Sequence, residues 1–197
     1  MARKSKEEAQ ETRNRLLASA LDIMSEKPFS KVSMSEIAQN VGFSKGAMYW
    51  HFKNKEDLLI HLLKTSVQDE KGLWPEGRIP GSLDEIGLYF RDKMEKALKN
   101  DHFKKIYRVM QRRNEWPETV RRKIVEMMHS EMERERRMVE KVLAEARGNA
   151  GKEISLKERS SLITAVFHGL FISQLEKTYS IDLAKQTCFI VTTLAMN

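Results

Sequence analysis

The chain has 197 residues, and 41% of them are hydrophobic, so it is long enough to bury a core of its own. Only four prolines and nine glycines occur, which favours long helices over a turn-rich β fold, and the single cysteine excludes an internal disulfide and a thiolate metal cluster. The formal net charge of +7 points to a polyanionic partner, but it does not distinguish DNA from RNA or an anionic membrane.

Three features of the sequence bear on its location. No run of about 18 apolar residues is present, so we expect no membrane-spanning helix and no membrane partner. The first eight residues include basic ones but lack the apolar run of a secretory signal. Because the single cysteine suits a reducing compartment, the sequence predicts a cytoplasmic protein.

The first two helices are predicted before residue 42. An apolar stripe at helical spacing indicates a helix over residues 7–25. Ser33 and Glu36 form a capping-box pattern, in which the serine hydroxyl accepts a hydrogen bond from the amide three residues later, so a second helix begins there. Gly42 follows this helix at a turn, where a left-handed backbone is tolerated.

Two more short helices are predicted after the turn. Ser44 is placed to cap a third helix, from Lys45 to about His51, and Asn54 is a cap candidate for a fourth. Two short helices separated by a glycine turn, with another helix ahead for support, are the minimum needed to place a helix in a major groove. Residues 33–52 therefore predict a helix-turn-helix.

The second part of the chain begins at a loop-like stretch. Residues 74–81 contain two of the four prolines and two of the nine glycines, so we predict a domain boundary there. Five further helices are predicted over about residues 82–99, 101–114, 117–147, 155–177 and 182–197. The predicted fold is all-α with about nine helices: a three-helix helix-turn-helix domain at residues 1–55, a connecting helix at 54–73, and a C-terminal helical domain at 74–197.

A family resemblance rests on residues 35–58, which read SEIAQNVGFSKGAMYWHFKNKEDL. This run resembles the signature of the tetracycline-repressor (TetR) family, and the resemblance extends over about residues 12–60. It departs from the common pattern at Val41, Ala47 and Met48. The resemblance implies a transcription regulator that represses from a palindromic operator and leaves it when a small apolar or amphipathic effector binds. The C-terminal domain is then expected to bind the effector and to form a homodimer.

The third helix is predicted to face double-stranded DNA. Its outer face offers hydrogen-bonding and apolar groups to base edges, and neighbouring residues are within reach of phosphates. Lys55 and the free amides at the start of the fourth helix predict an anion site. Together with the resemblance, this predicts DNA contacts at Ser33, Ser44, Lys45, Gly46, Ala47, Tyr49, Trp50, His51 and Lys55.

The eighth and ninth helices carry more apolar surface than one core needs. We therefore expect them to pair with their symmetry mates in a homodimer, and packing on the fifth helix alone is the alternative. The predicted interface residues are Leu162, Val166, Gly169, Leu170, Ser173, Ile190 and Leu194.

Large, adaptable side chains in the middle helices suit an apolar effector pocket, although each also fits an ordinary core. The predicted lining residues are Phe90, Met94, Phe103, Tyr107, Met110, Trp116, Met127, Met128, Phe167, His168, Phe171 and Gln174. Among them His168 is either a polar contact for the effector or a histidine satisfied within the core. The charged stretch over residues 131–141 is expected to be a solvated face.

An enzyme is the alternative from a different class. The sequence has no HExxH, GxSxG, P-loop or GxGxxG pattern, and its five histidines are scattered, so no catalytic, metal or cofactor site is predicted. A nonspecific DNA-binding protein would need a stronger charge excess and no sensor domain. A transcriptional activator stays open beside the repressor.

Overall fold

The structure is a computed structural model that describes residues 6–69, 80–146 and 154–177, together with residues 182, 186, 187, 189–191 and 193. These residues form helices and connections without a strand, which confirms the all-α prediction. Most of the predicted boundary at 74–81 and part of the predicted ninth helix lie outside the described residues, although residues 186, 187, 189–191 and 193 are helical. The helices are α1 (Lys6–Glu26), α2 (Met34–Asn40), α3 (Lys45–His51), α4 (Lys55–Asp69), α5 (Leu83–Lys99), α6 (Asp101–Gln111), α7 (Glu118–Ala146) and α8 (Leu156–Glu176).

Side chains close to the helix starts satisfy amides that the helices leave open. The hydroxyls of Ser33, Ser44, Ser82 and Ser155 each accept a hydrogen bond from the backbone amide three residues later, at 3.1–3.3 Å. At Ser155 the carboxylate of Glu158 also accepts from the serine amide at 2.9 Å, which completes a capping box. These local bonds fix where α2, α3, α5 and α8 begin.

The described residues form two compact units. The first comprises the described residues of Met1–Asp69 and Asp101–Met127, and the second those of Glu70–Asn100 and Met128–Asn197. Contacts therefore place α6 and the start of α7 in the same unit as α1–α4, whereas the predicted domains divide the chain once, near residue 74. The predicted functional domains stay a prediction.

The core of the first unit explains this division. The apolar side chains of α1 to α4 form one cluster, and Ile106, Val109 and Trp116 are buried in the same cluster. α6 packs on α1 and α4, and α2 packs on both α1 and α3. α1, α2 and α4 therefore form a trihelical support for α3, and α6, which is distant from them in sequence, completes it.

Polar contacts also hold α6 to α1. Lys105 Nζ lies 2.6 Å from Asp22 Oδ1. The Arg112 guanidinium donates to the carbonyl oxygens of Met24 at 3.2 Å and Glu26 at 3.1 Å, where α1 leaves its last carbonyls open. α6 is therefore fixed to the end of α1 by charge as well as by burial.

The second unit has a separate core, built from α5, α7 and α8. The rings of Phe90 and Phe167 stack at a centroid distance of 4.0 Å and an interplanar angle of 10°. Ile86, Leu143 and Ile163 are fully buried beside them. None of the described helices combines the length and apolar character needed to cross a lipid bilayer.

Candidate functional site

α3 leaves most of its surface in solvent. Met48 is the one buried residue of its seven, and the side chains of Tyr49 and Trp50 are 48% and 71% exposed. Large aromatic side chains held outward by a buried support are available to a partner. The predicted bounds of the third helix, Lys45 to His51, are confirmed.

The residues predicted to contact DNA lie mostly together. Lys45 Nζ is 5.8 Å from the centroid of the Tyr49 ring, and the rings of Trp50 and His51 meet edge to face with their centroids 4.5 Å apart. Ser44, Lys45, Gly46, Tyr49 and Trp50 are exposed, and Ala47 and His51 are half-buried. Ser33 is exposed at the start of α2. A role of these residues in binding DNA stays a prediction.

The two glycines of this region have different structural requirements. Gly42 has a φ of 74°, a left-handed conformation that side chains with a Cβ rarely adopt, so the turn between α2 and α3 requires it. At Gly46 an added Cβ would meet only the Ser44 hydroxyl, at 3.7 Å, which is an ordinary contact. Nothing in the described fold therefore requires a glycine at position 46.

The ammonium of Lys55 points into the first unit. It donates to the carbonyl oxygens of Phe29 at 2.6 Å and Val32 at 2.8 Å, and it lies 4.4 Å from the centroid of the Phe29 ring. Burial lowers the pKa of Lys55, and the charge of Glu56 opposes this effect. The anion site predicted at Lys55 stays a prediction, and two of the three N–H donors of the ammonium are bonded to these carbonyls.

One face of α8 is apolar and exposed. Leu162, Val166, Gly169 and Ser173 follow one another at helical spacing, and the first two are 46% and 36% exposed. A Cβ added at Gly169 would meet nothing within 4 Å, so the described fold leaves open space there. Leu170, Ser173 and Ile190 are half-buried, and Leu194 lies outside the described residues.

The residues predicted to line an effector pocket are divided between the two units. The first unit holds Phe103, Tyr107, Met110, Trp116 and Met127, and the second holds Phe90, Met94, Met128, Phe167, His168, Phe171 and Gln174. Phe90, Met94, Trp116 and Phe167 are almost fully buried as core residues, and Met128 is exposed. A shallow recess in the first unit contains Trp116, but it has room for about one water molecule. A single pocket lined by all these residues stays a prediction.

A buried carboxylate in the second unit contradicts the prediction of a solvated face over residues 131–141. Glu135 on α7 is 3% exposed. Its carboxylate accepts from Lys93 Nζ on α5 at 2.7 Å and from His168 Nε2 on α8 at 2.9 Å. His168 therefore has a hydrogen-bond partner on α7, and its contact with an effector stays a prediction. A signal was present in the sequence, because Glu135 falls on the helical stripe that continues through the buried Val139 and Val142.

The electrostatics of this cluster depend on its three members. Burial raises the pKa of Glu135, but the hydrogen bonds and charges of His168 and Lys93 outweigh it and hold the pKa below its usual value. Burial, together with the charge of Glu135, raises the pKa of the nearby Tyr89, so its phenol stays neutral. The part of the chain that the structure describes contains no group of three or more histidine, cysteine, aspartate or glutamate side chains placed to hold a metal ion.

The comparison with known proteins agrees with the geometry of α1 to α4. Residues 16–62 match the family model of bacterial regulatory proteins of the tetR family. Over these residues the chain is similar to the TetR family. The HTH-type transcriptional regulator AcrR of Shigella flexneri is 43% identical to it over 83 residues, which are 41% of this chain and 39% of AcrR. The probable HTH-type transcriptional regulator ArpR of Pseudomonas putida is 33% identical over 87 residues, which are 44% of this chain and 41% of ArpR. The chain thus spans about two fifths of the length of these curated relatives.

A solved structure extends the likeness of fold to the rest of the chain. The crystal structure of NalD, the secondary repressor of the MexAB-OprM multidrug efflux pump in Pseudomonas aeruginosa, aligns with a TM-score of 0.72. The alignment covers 96% of each chain at 22% sequence identity. It confirms the predicted fold, an N-terminal helix-turn-helix followed by a C-terminal helical domain.

We expect Glu135→Gln to lower the free energy of unfolding by about 3 kcal/mol at pH 7, because it removes one partner of a buried ionic cluster. The folded-state pKa of Glu135 lies below its usual value of 4.5, so its contribution is complete above about pH 4.5 and is lost as the pH falls below that value. Urea unfolding of both proteins between pH 7 and pH 3 should therefore show a difference that shrinks in acid.

The matched control for this change is Glu145→Gln on the same helix. The Glu145 side chain is 59% exposed and lies 3.9 Å from Lys141, so its loss should change stability by no more than about 0.5 kcal/mol. An equal effect of the two substitutions, or a Glu135 effect as large at pH 3 as at pH 7, would contradict the role given to the buried carboxylate.

Proposed function

We propose that this chain is a DNA-binding transcriptional repressor that acts as a homodimer in the cytoplasm. The observation that carries the proposal is α3, a short helix with exposed aromatic and basic side chains on a trihelical support, inside the segment that matches the TetR family. The same observation favours a regulator over an enzyme. We assign DNA binding to residues 1–55, the connection to residues 54–73, and effector binding and dimer formation to residues 74–197.

The outward face of α3 supplies both kinds of DNA contact. We assign contacts with base edges to Lys45 and Ala47, because an ammonium recognises guanine and a methyl group contacts thymine. We assign phosphate contacts to Tyr49 and His51 on α3 and to Ser33 at the start of α2, because such contacts fix the register of the helix in the groove. Nothing in the described part of the chain requires a glycine at position 46, so we assign its missing side chain to close approach of the DNA backbone.

One helix-turn-helix covers too few bases for tight, specific binding, so the proposal includes a second copy of the chain. The exposed apolar face of α8 is the proposed contact, with Gly169 allowing the two helices to approach closely. A two-fold dimer presents two copies of α3, and a palindromic operator with half-sites about one helical turn apart matches that symmetry.

We expect the protein to select a palindromic sequence from a random DNA pool, and Gly46→Ala to weaken that binding roughly tenfold, which corresponds to about 1.4 kcal/mol. Among the described residues the added methyl group meets only an ordinary contact, and alanine favours a helix, so the melting temperature should not fall. Gel-shift titration and thermal unfolding measure the two effects.

Gly81→Ala is the matched control, because its added Cβ would also meet a single atom at 3.7 Å, the Glu85 carboxylate oxygen. Its operator affinity should equal that of the unaltered protein. Binding that depends on salt but prefers no sequence would support a nonspecific DNA-binding protein and overturn the proposal. An unchanged affinity of Gly46→Ala would overturn the close approach at position 46.

We expect Val166→Glu to convert the dimer into a monomer, because the interface would bury an unpaired carboxylate. Gly169→Leu should have the same effect by filling the open space on that face. Sedimentation equilibrium at micromolar concentration measures both. Lys157→Ala, on an exposed position of α8 away from the apolar face, should remain dimeric. A monomeric unaltered protein would contradict the proposed dimer.

We propose that effector binding shifts the dimer between two states that differ in the spacing of the two copies of α3. A small apolar or amphipathic effector weakens DNA binding only as far as it prefers the state with the wrong spacing. Operator affinity is measured by fluorescence anisotropy across a panel of lipophilic compounds, and at least one compound should lower it. An affinity that no compound in a broad panel changes would count against this mechanism.

A further inference from the structure

α3 needs support that its own burial does not supply. A seven-residue helix is marginal in water, and α3 buries Met48 alone. Its start is capped by Ser44, and the last carbonyl groups of a helix have no partner within the helix itself. Two arginines of α1 supply contacts there. Arg13 contacts the end of α3, and Arg15 contacts the end of α2 just before the turn that leads into α3.

Arg13 contacts the end of α3. Its Nη1 donates to the carbonyl oxygen of His51, the last residue of the helix, at 3.3 Å. The guanidinium carbon lies 4.6 Å from the centroid of the ring of Phe52, the residue that ends the helix. A cation at this end interacts favourably with the helix dipole, and the ring beneath it limits the positions that the guanidinium can adopt.

Arg15 makes the same two kinds of contact, with a carbonyl oxygen and an aromatic ring, at the end of α2. Its Nη2 donates to the carbonyl oxygen of Val41, where α2 ends, at 2.9 Å. The guanidinium carbon lies 4.7 Å from the centroid of the Phe43 ring, on the other side of the Gly42 turn. Arg15 is exposed to solvent, yet both contacts hold it against the turn.

We propose that Arg13 and Arg15 are positioning residues, which fix the end of α3 and the turn before it so that operator binding depends on them without either arginine touching DNA. Both lie on α1 before residue 16, where the match to the family model begins. The DNA-binding consequence rests on the proposed function, whereas the effect on α3 itself does not.

The competing role is direct contact with phosphates. A guanidinium has five N–H donors, so a donor already bonded to a carbonyl leaves others for an anion. The two roles differ in their dependence on salt. A phosphate contact contributes about 0.9 to the slope of log affinity against log salt concentration, so a dimer that lost one contact in each half-site would lose about 2. A positioning residue lowers the affinity and leaves the slope unchanged.

The experiment uses the full chain with Arg13→Ala, Arg15→Ala and the charge-retaining Arg13→Lys and Arg15→Lys. Hydrogen exchange of the amides of residues 48–52 is measured first, without DNA. Operator affinity is then measured over a range of salt concentrations. Lys141→Ala on α7, where the side chain is 67% exposed, removes the same charge and serves as the control.

We expect faster amide exchange at residues 48–52 in both alanine variants, an operator affinity about tenfold weaker, and an unchanged salt slope. Lysine keeps the charge but lacks the planar guanidinium, which can donate to a carbonyl and stack on an aromatic ring at the same time. The lysine variants should therefore recover only part of the lost operator affinity. If an alanine variant does not fold, the corresponding lysine variant provides the test. Lys141→Ala should match the unaltered protein.

Unchanged exchange at residues 48–52, a salt slope that falls by about 2, or full recovery by lysine would each overturn the positioning role. If the unaltered protein selects no operator, the proposed function fails by itself. The exchange measurement then still decides whether the arginines hold α3.

Discussion

A helix that must show most of its side chains to a partner cannot be stabilised by burying them. α3 meets this constraint with Met48 in the core, the Ser44 hydroxyl at its start and the Arg13 guanidinium at its end. These contacts use one buried side chain and backbone groups at the two ends of the helix, so the exposed side chains stay available to a partner. The remainder of the first unit, from α1 through α4 and on to α6, is a packed base to which those contacts are fixed.

The features predicted correctly from the sequence are those encoded locally. The starts of α2, α3 and α8 are set by a serine and the amide three residues later, so a short sequence window contains both partners. The bounds of α3 follow from such a cap, from the glycine turn before it and from the single stripe residue Met48. The exposed face of α8 follows from spacing alone, because Leu162 and Val166 do not fit the buried side of their helix.

The features predicted wrongly or not at all depend on partners far away in the chain. Glu135 is surrounded by charged residues in sequence, but its burial is set by Lys93, 42 positions earlier, and His168, 33 positions later. The inward direction of Lys55 depends likewise on carbonyl groups of Phe29 and Val32, in the segment before α2. A carboxylate on an apolar helix face indicates that a cationic or hydrogen-bonding partner lies beside it, but the local sequence does not identify the residue that supplies this partner.

The inclusion of α6 in the first unit limits how this protein can be divided. A polypeptide ending at residue 69 would lack Ile106, Val109 and Trp116, and the apolar faces of α1 and α4 that they cover would lie in water. The helix-turn-helix is therefore not a self-sufficient N-terminal module. A chimera that exchanges its DNA specificity with a relative would have to carry residues 101–127 together with the N-terminal helices.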